Sequence, residues 1–489
     1  MTAFLCHKRL WLTLVLLNLL AAGTNLRAQK LYEWDKLWLR PIAEHSCLRD
    51  SSHRQLIYPA GRSEAIMGVY DILEAMLTGD NQAQLNIFHI GGSHVQAGWL
   101  SHRLRTNFTH ALAEFTDDNR DCQGLAAYRG MLFPYRAIRT NSPQDYRINY
   151  TGRWTASRCV AQMPDVQLGL SGAAAITADS AASLTVNLRQ EGKWNFKTLQ
   201  VLGDASDVSV YPIVITQNGD TLESQQRLVL KPHNKFFFLA DGLDMPGWYF
   251  ILPQEDSCCT VAFRGLSTVL PEPVAKPAKG KKKPAKPAPN YQPLDSTHYF
   301  ILRGLIPSGN RRGITYTASG INGAAVPSWL RCSEMLFTSE LSMMPPHLAI
   351  FGIGINDANV PQADFDTAAF KAGYREIIDR IHSVNPHCAL LFITNNDCWL
   401  NSGRQRRIPN PNTSRARDAF MALAKEYQGA VFDVYDLMGG FRSSDKWVKA
   451  GLMQRDHIHF TQEGYHLIAD LLYNALILDY QQSRETKSE

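Results

Sequence analysis

The chain of 489 residues is 45% hydrophobic, 19% charged and 10% aromatic, which excludes a disordered or fibrous protein and, at roughly 150 residues per domain, leaves room for two or three cores. Its formal charge of +5 misleads if taken whole. Lys8, Arg9 and Arg27 stand without an acid before Gln29, and residues 271–290 hold six lysines against Glu272, so the remainder is net negative by three. Phosphate binding needs basic side chains clustered on the folded part, and nucleic acid is not expected as a partner.

The first element in chain order is the apolar run Leu10–Ala22, behind Lys8 and Arg9 and ahead of small residues at Ala21, Ala22, Gly23 and Ala28. At about 13 residues it falls short of the ~20 that span a bilayer and reads as a secretory signal over 1–28, cleaved after Gly23 or Ala28. No later segment reads as a membrane span, so export is expected. Beyond Cys6 the chain has eight cysteines, Cys47, Cys122, Cys159, Cys258, Cys259, Cys332, Cys388 and Cys398. They form neither a CxxC pair nor a dense framework, so one or two bridges and buried thiols both remain open.

The strand Leu85–Ile90 and an amphipathic helix over Gln96–Phe115 open an α/β pattern. From about 155 to 305 the texture changes to short strands, Ser183–Leu188, Val208–Ile215, Lys235–Leu239 and Thr260–Phe263, with turn signals at Asn218-Gly219-Asp220 and Asp241-Gly242. This reads as a β-sandwich. Within it, residues 271–290 are Pro, Ala and Lys with nothing to bury, a solvated extended segment. The α/β pattern then resumes: strand Leu348–Gly352, helix Phe365–Ser383, strand Ala389–Ile393, helix Ser414–Tyr427, strand Ala430–Val434 and helix Gln462–Leu478. Apolar strands alternating with helices mean a parallel sheet covered on both faces, here interrupted by the β region.

Ligands of such sheets sit beyond the carboxyl ends of the strands, which directs attention to four loops. Gly91-Gly92-Ser93-His94 permits a tight strand-to-helix turn with Ser93 at a helix start, although the pattern is not G-x-S-x-G. Gly320-Ile321-Asn322-Gly323-Ala324 leaves backbone N–H groups free, and Gly354-Ile355-Asn356-Asp357 brings an amide donor. In Asp456-His457-Ile458-His459 the spacing of three lets the carboxylate accept from the ring Nδ1–H and leaves Nε2 as a base. His457 and His459 also alternate as two ligands of a metal would, without an evident third and fourth.

Together the four blocks resemble the SGNH, or GDSL-type, hydrolase superfamily, whose signature residues are Ser, Gly, Asn and His. Ser93 matches the nucleophile, Gly323 and Asn356 the oxyanion donors alongside the Ser93 N–H, and Asp456 with His459 the last block. The Asn-Gly-Ala block after a β insertion, with Ser-His in the first block, is similar to bacterial peptidoglycan O-acetylesterases; Gly92 stands where that family usually carries Asp. The resemblance implies a flavodoxin-like three-layer α/β hydrolase domain in two parts, 29–154 and 306–489, interrupted by a carbohydrate-binding-like β-sandwich over 155–305.

It also implies a serine esterase acting through an acyl-enzyme on an acylated glycan, with no cofactor, metal, nucleotide or flavin, in the periplasm or secreted. An acyltransferase would use the same residues with a sugar hydroxyl as acceptor. A weakly active glycan-binding protein would fit Gly92 and the large insert, whose aromatics Trp194, Phe196, Tyr211, Trp248 and Tyr249 are candidates for sugar contact or for core packing.

Overall fold

The computed structural model describes residues 39–488 except 79, 81, 118–124, 189–194, 225, 230–245, 267–291, 310–311 and 403–405. The signal over 1–28, the strand Lys235–Leu239, Trp194 and the lysine-rich segment lie outside the described residues. No described helix is long and apolar enough to cross a membrane.

Ser63 caps helix α1 (Glu64–Leu77) by accepting from the Ile66 N–H, and the chain then enters β1 (Gln84–Gly91). The single helix expected from Gln96 is divided: α2 (Ser93–Gln96) and α3 (Trp99–Asp117) are separated at Gly98, whose φ of 76° lies outside the helical region. Strand β2 (Leu125–Arg129) follows. Its short apolar run, Leu125-Ala126-Ala127-Tyr128, is not among the expected strands.

The β region comprises β3 (Arg147–Thr151), β4 (Thr155–Arg158), β5 (Ala173–Thr177), β6 (Ser183–Asn187), β7 (Phe196–Ala205), β8 (Tyr211–Thr216), β9 (Thr221–Leu222), β10 (Gln226–Val229), β11 (Pro246–Asp256), β12 (Cys258–Arg264) and β13 (Phe300–Ser308). These pair antiparallel into a six-stranded sheet, β10-β11-β7-β13-β5-β4, and a five-stranded sheet, β3-β6-β12-β8-β9. Rings meet between the sheets, with Phe263 and Phe300 centroids 4.7 Å apart, and Trp248 of the same sheet as Phe300 lies 5.2 Å from it. Phe196 and Trp248, candidates for sugar contact, are buried at 0% and 6% exposure and belong to the core; Tyr211 and Tyr249 are half-buried.

The α/β pattern resumes with β14 (Arg312–Gly320), α4 (Val326–Leu330), α5 (Glu334–Leu341), β15 (Leu348–Gly352), α6 (Ile355–Ala358), α7 (Thr367–Val384) and β16 (Ala389–Ile393). A hairpin, β17 (Trp399–Ser402) and β18 (Arg406–Pro409), intervenes before α8 (Asn412–Glu426), β19 (Ala430–Phe432), α9 (Val434–Leu437), α10 (Ser444–Lys449) and α11 (Gln462–Ser488). The central sheet is parallel throughout, in the order β19-β16-β15-β1-β14-β2. Strand β1 is thus flanked by β14 and β15; the chain leaves β1 for β2 on one side and later crosses from β14 to β15 on the other. That reversal is where an open α/β sheet has its ligand crevice.

Alternation along the strands sorts the core into two faces. Phe88, Ile90, Phe351 and Phe392 pack under α7 and α8, and the same continuous cluster includes Leu199, Val201, Phe250 and Phe300 of the β region. Leu85, Ile87, Ile350 and Leu391 face α1, α3 and α11. The insertion therefore shares one core with the face of the sheet it covers. Polar bonds reinforce the joint: Arg303 of β13 donates to Glu340 of α5 at 2.6 Å, and Glu340 accepts from the Leu170 N–H at 2.8 Å. None of the described cysteines forms a disulfide.

Asp145, just before β3, is fully buried between Arg105 of α3 and Arg129 at the end of β2. Burial opposes its ionisation, but the two guanidiniums outweigh that and hold the carboxyl below its ordinary range. Asp145→Asn strips the carboxylate that both cations share and should cost about 3–5 kcal/mol of stability. Glu426→Gln, at a pair with Arg375 in which both side chains are 40% exposed, should cost less than about 1 kcal/mol. Urea melts of the two variants check the contrast.

Candidate active site

The site is built where β1, β14 and β15 end. Gly91 lies in register with Gly320 on one side and Gly352 on the other. A Cβ on Gly91 would lie 2.2 Å from Val95 Cγ2, and one on Gly320 would lie 2.3 Å from the Gln96 backbone nitrogen. Only bare backbone lets α2 sit this close to the sheet edge, and Ser93 is its first residue. Gly92 accepts from the Gln96 N–H at 3.0 Å and the Val95 N–H at 3.2 Å, so the turn closes without a side chain at position 92. Its φ of −95° is open to any residue, and a Cβ there would meet Ala324 O and Asn356 Nδ2, each at 3.3 Å.

Ser93 Oγ lies 2.9 Å from His459 Nε2. His459 Nδ1 lies 2.8 Å from Asp456 Oδ2, while Asp456 Oδ1 accepts from the Ile458 and His459 N–H groups at 2.9 and 3.0 Å. Partial burial opposes the Asp456 charge, but the bonds from the His459 ring and the two amides more than offset it and hold the carboxyl well below the usual carboxylate range. An ionised Asp456 places the proton on Nδ1 and leaves Nε2 free to accept one from Ser93.

Gly323 sits at the tip of an exposed turn with φ 80°, closed by the Ala324 N–H donating to Ile321 O at 3.0 Å. Asn356 Nδ2 donates to Ala324 O at 2.9 Å, which ties the amide to the same turn and leaves its second N–H uncommitted. Ser93, Gly323 and Asn356 thus come from three adjacent strand ends. The two histidines of the last loop do not converge. His459 turns toward Asp456 and Ser93, whereas His457 lies flat on Trp399, ring centroids 4.1 Å apart. No group of three His, Cys, Asp or Glu among the described residues is placed to hold a metal.

Several residues assigned no role from the sequence support this arrangement. Gln96 Oε1 accepts from the Asn322 N–H at 2.7 Å, and its Nε2 donates to Thr140 Oγ1 at 2.9 Å, linking α2 to the Gly323 turn. His94 Nδ1 lies 2.9 Å from the Tyr465 hydroxyl. Burial and the neighbouring His459 push His94 down to about 3, so it stays neutral beside the His459 ring. Asp357 accepts from the Val326 N–H at 3.0 Å and fastens the start of α4 to α6. Only adjacency to the Ser93 and Asn356 blocks could have drawn attention to these three.

Burial pushes the Asp357 carboxyl up to about 7. A carboxyl raised on folding contributes stability that is complete below its unfolded value near 4 and is lost as pH rises through 7. Asp357→Asn keeps an acceptor for the Val326 N–H and removes the titration. Between pH 4 and pH 8 the wild-type Tm should therefore fall more than that of Asp357→Asn, as thermal scans at the two pH values would show.

Residues 294–467 match the GDSL-like Lipase/Acylhydrolase family. No curated protein matches the chain. Among solved structures, a peptidoglycan O-acetylesterase superposes with a TM-score of 0.61 at 16% identity, covering 87% of this chain and 99% of that one. An acetyl xylan esterase matches at 18% identity over 33% of this chain and 81% of its own, with a TM-score of 0.26. A putative acylhydrolase from Bacteroides fragilis matches at 16% over 34% and 76%, with a TM-score of 0.27.

Proposed function

We propose that this chain, an SGNH-type hydrolase by its fold and by the GDSL-like match over residues 294–467, is a serine esterase that removes acyl groups, acetyl foremost, from a glycan of the cell envelope or the exterior such as O-acetylated peptidoglycan. The observation that carries the reading is the unbroken chain from Ser93 Oγ through His459 to Asp456, made by residues 366 positions apart. The apolar run behind Lys8 and Arg9 supports export to where such a glycan lies.

In the proposed reaction His459 Nε2 takes the proton of Ser93 as Oγ attacks the ester carbonyl. The oxyanion is held by the N–H groups of Ser93 and Gly323 and by the uncommitted N–H of Asn356. Collapse passes the proton from His459 to the departing sugar oxygen and leaves an acyl-serine. Water, deprotonated by His459, then adds to that ester, and Ser93 recovers its proton as the carboxylic acid leaves. Asp456 stays ionised throughout and stabilises the imidazolium formed in each half.

The test is release of free acetate from O-acetylated peptidoglycan by the wild type and by Ser93→Ala. Ser93→Ala and His459→Ala should each lower kcat by roughly 10⁴-fold or more with an unchanged Tm. Near-wild-type turnover in either sinks the assignment. Asn356→Ala should lower kcat by roughly 10²–10³-fold with little change in KM, as loss of one oxyanion donor does. An effect on KM alone would make Asn356 a substrate-binding residue.

A further inference from the structure

The turn that joins Asp456 to His459 depends on an unfavourable backbone conformation between them. His457 has φ 57°, in the left-handed region where a Cβ crowds the following carbonyl. Inside the turn, the His457 N–H donates to Gln454 O at 3.0 Å and the Gln454 N–H to His459 O at 2.8 Å. From outside, the segment after β16 grips two successive carbonyls: Trp399 N–H donates to His457 O at 3.3 Å, and Asn396 Nδ2 to Ile458 O at 3.1 Å. The same segment lays the Trp399 indole on the His457 imidazole, 4.1 Å between centroids and 16° between planes.

Hydrogen bonding does not fix either ring. The indole N–H is buried without an acceptor, and His457 Nδ1 stands 3.7 Å from Asp445 Oδ1, beyond hydrogen-bond reach. Stacking is what fixes them. The consequence reaches the triad through the backbone, because the left-handed residue reverses the chain. That reversal lets Asp456 Oδ1 collect the next two N–H groups while Oδ2 meets His459 Nδ1.

We propose that the Trp399–His457 stack positions the acid–base pair, holding residue 457 left-handed so that Asp456 orients the His459 ring toward Ser93. This role rests on the Ser93–His459–Asp456 reading above. His457 is a positioning residue, and it acts through the main chain it anchors. The strain at φ 57° is maintained because the ring has a partner, as strained residues near active sites require.

The test is steady-state hydrolysis of 4-nitrophenyl acetate, together with the rate at which a fluorophosphonate labels Ser93, a direct readout of its activation. Trp399→Ala and His457→Ala should each lower kcat and the labelling rate by roughly ten- to a hundredfold, with KM within about twofold. The double variant should be no worse than the poorer single one, since both break one device. His457→Phe keeps a ring to stack and should retain most of kcat. His457→Gly adopts φ 57° without strain and should recover part of what alanine loses.

Wild-type kcat in His457→Ala overturns the proposal, as do losses that multiply in the double variant. If Trp399→Ala fails to fold, the order Phe, Gly, Ala at position 457 still decides the matter. His459→Ala, run alongside, separates the two readings. An inactive His459→Ala beside a fully active His457→Ala sinks the positioning role alone, whereas an active His459→Ala sinks the triad.

Discussion

The arrangement depends on a steric constraint at the sheet edge. Gly91, Gly320 and Gly352 lie side by side across three parallel strands, and at the first two a methyl group would collide with α2. Bare backbone at this level lets a four-residue helix pack directly on the strand ends and present Ser93 between the loops that follow β14 and β15. A side chain at either glycine would lift α2 and take Ser93 away from His459. The Ser93–His459 contact is in this sense a consequence of what the strands lack.

The loops around that edge are held by bonds that cross between elements. Gln96 joins α2 to the Gly323 turn, Asn356 joins α6 to Ala324, and Asp357 joins α6 to the start of α4. The β region adds mass behind this assembly. Its sheets continue the core under Phe88, Phe351 and Phe392, so the two parts of the α/β domain are reunited by sheet pairing on one side and by shared packing on the other. An insertion built this way cannot move freely against the site.

Charge is apportioned with the same economy. Asp456 is kept ionised by the groups that donate to it, His94 is kept neutral by burial beside His459, and Asp357 is poised to titrate near pH 7 under α4. In the proposed reaction the imidazolium formed on His459 meets the Asp456 carboxylate and, at His94, a neutral ring, a field that favours proton transfer from serine.

What the sequence determined by itself was local. Alternating apolar strands and helices gave the parallel sheet, and turn-punctuated short strands gave the sandwich, because burial on a pleated or helical face imposes a short period on neighbouring residues. The Asp456–His459 pair was legible for the same reason: both groups lie within one turn. Tertiary structure decided everything that depends on which distant elements meet. Strand β2 has no periodic mark of its own and gains its place by pairing with β14. Period-two alternation cannot say which face of a sandwich strand is inward, so Phe196 and Trp248 read equally as core or sugar contacts until the second sheet covered them. Nor can spacing show that Trp399 lies on His457, or that Ser93 reaches His459 across 366 residues. Those contacts are set by the order of strands in the sheet, and strand order is a property of the packed whole, with no local periodicity to announce it.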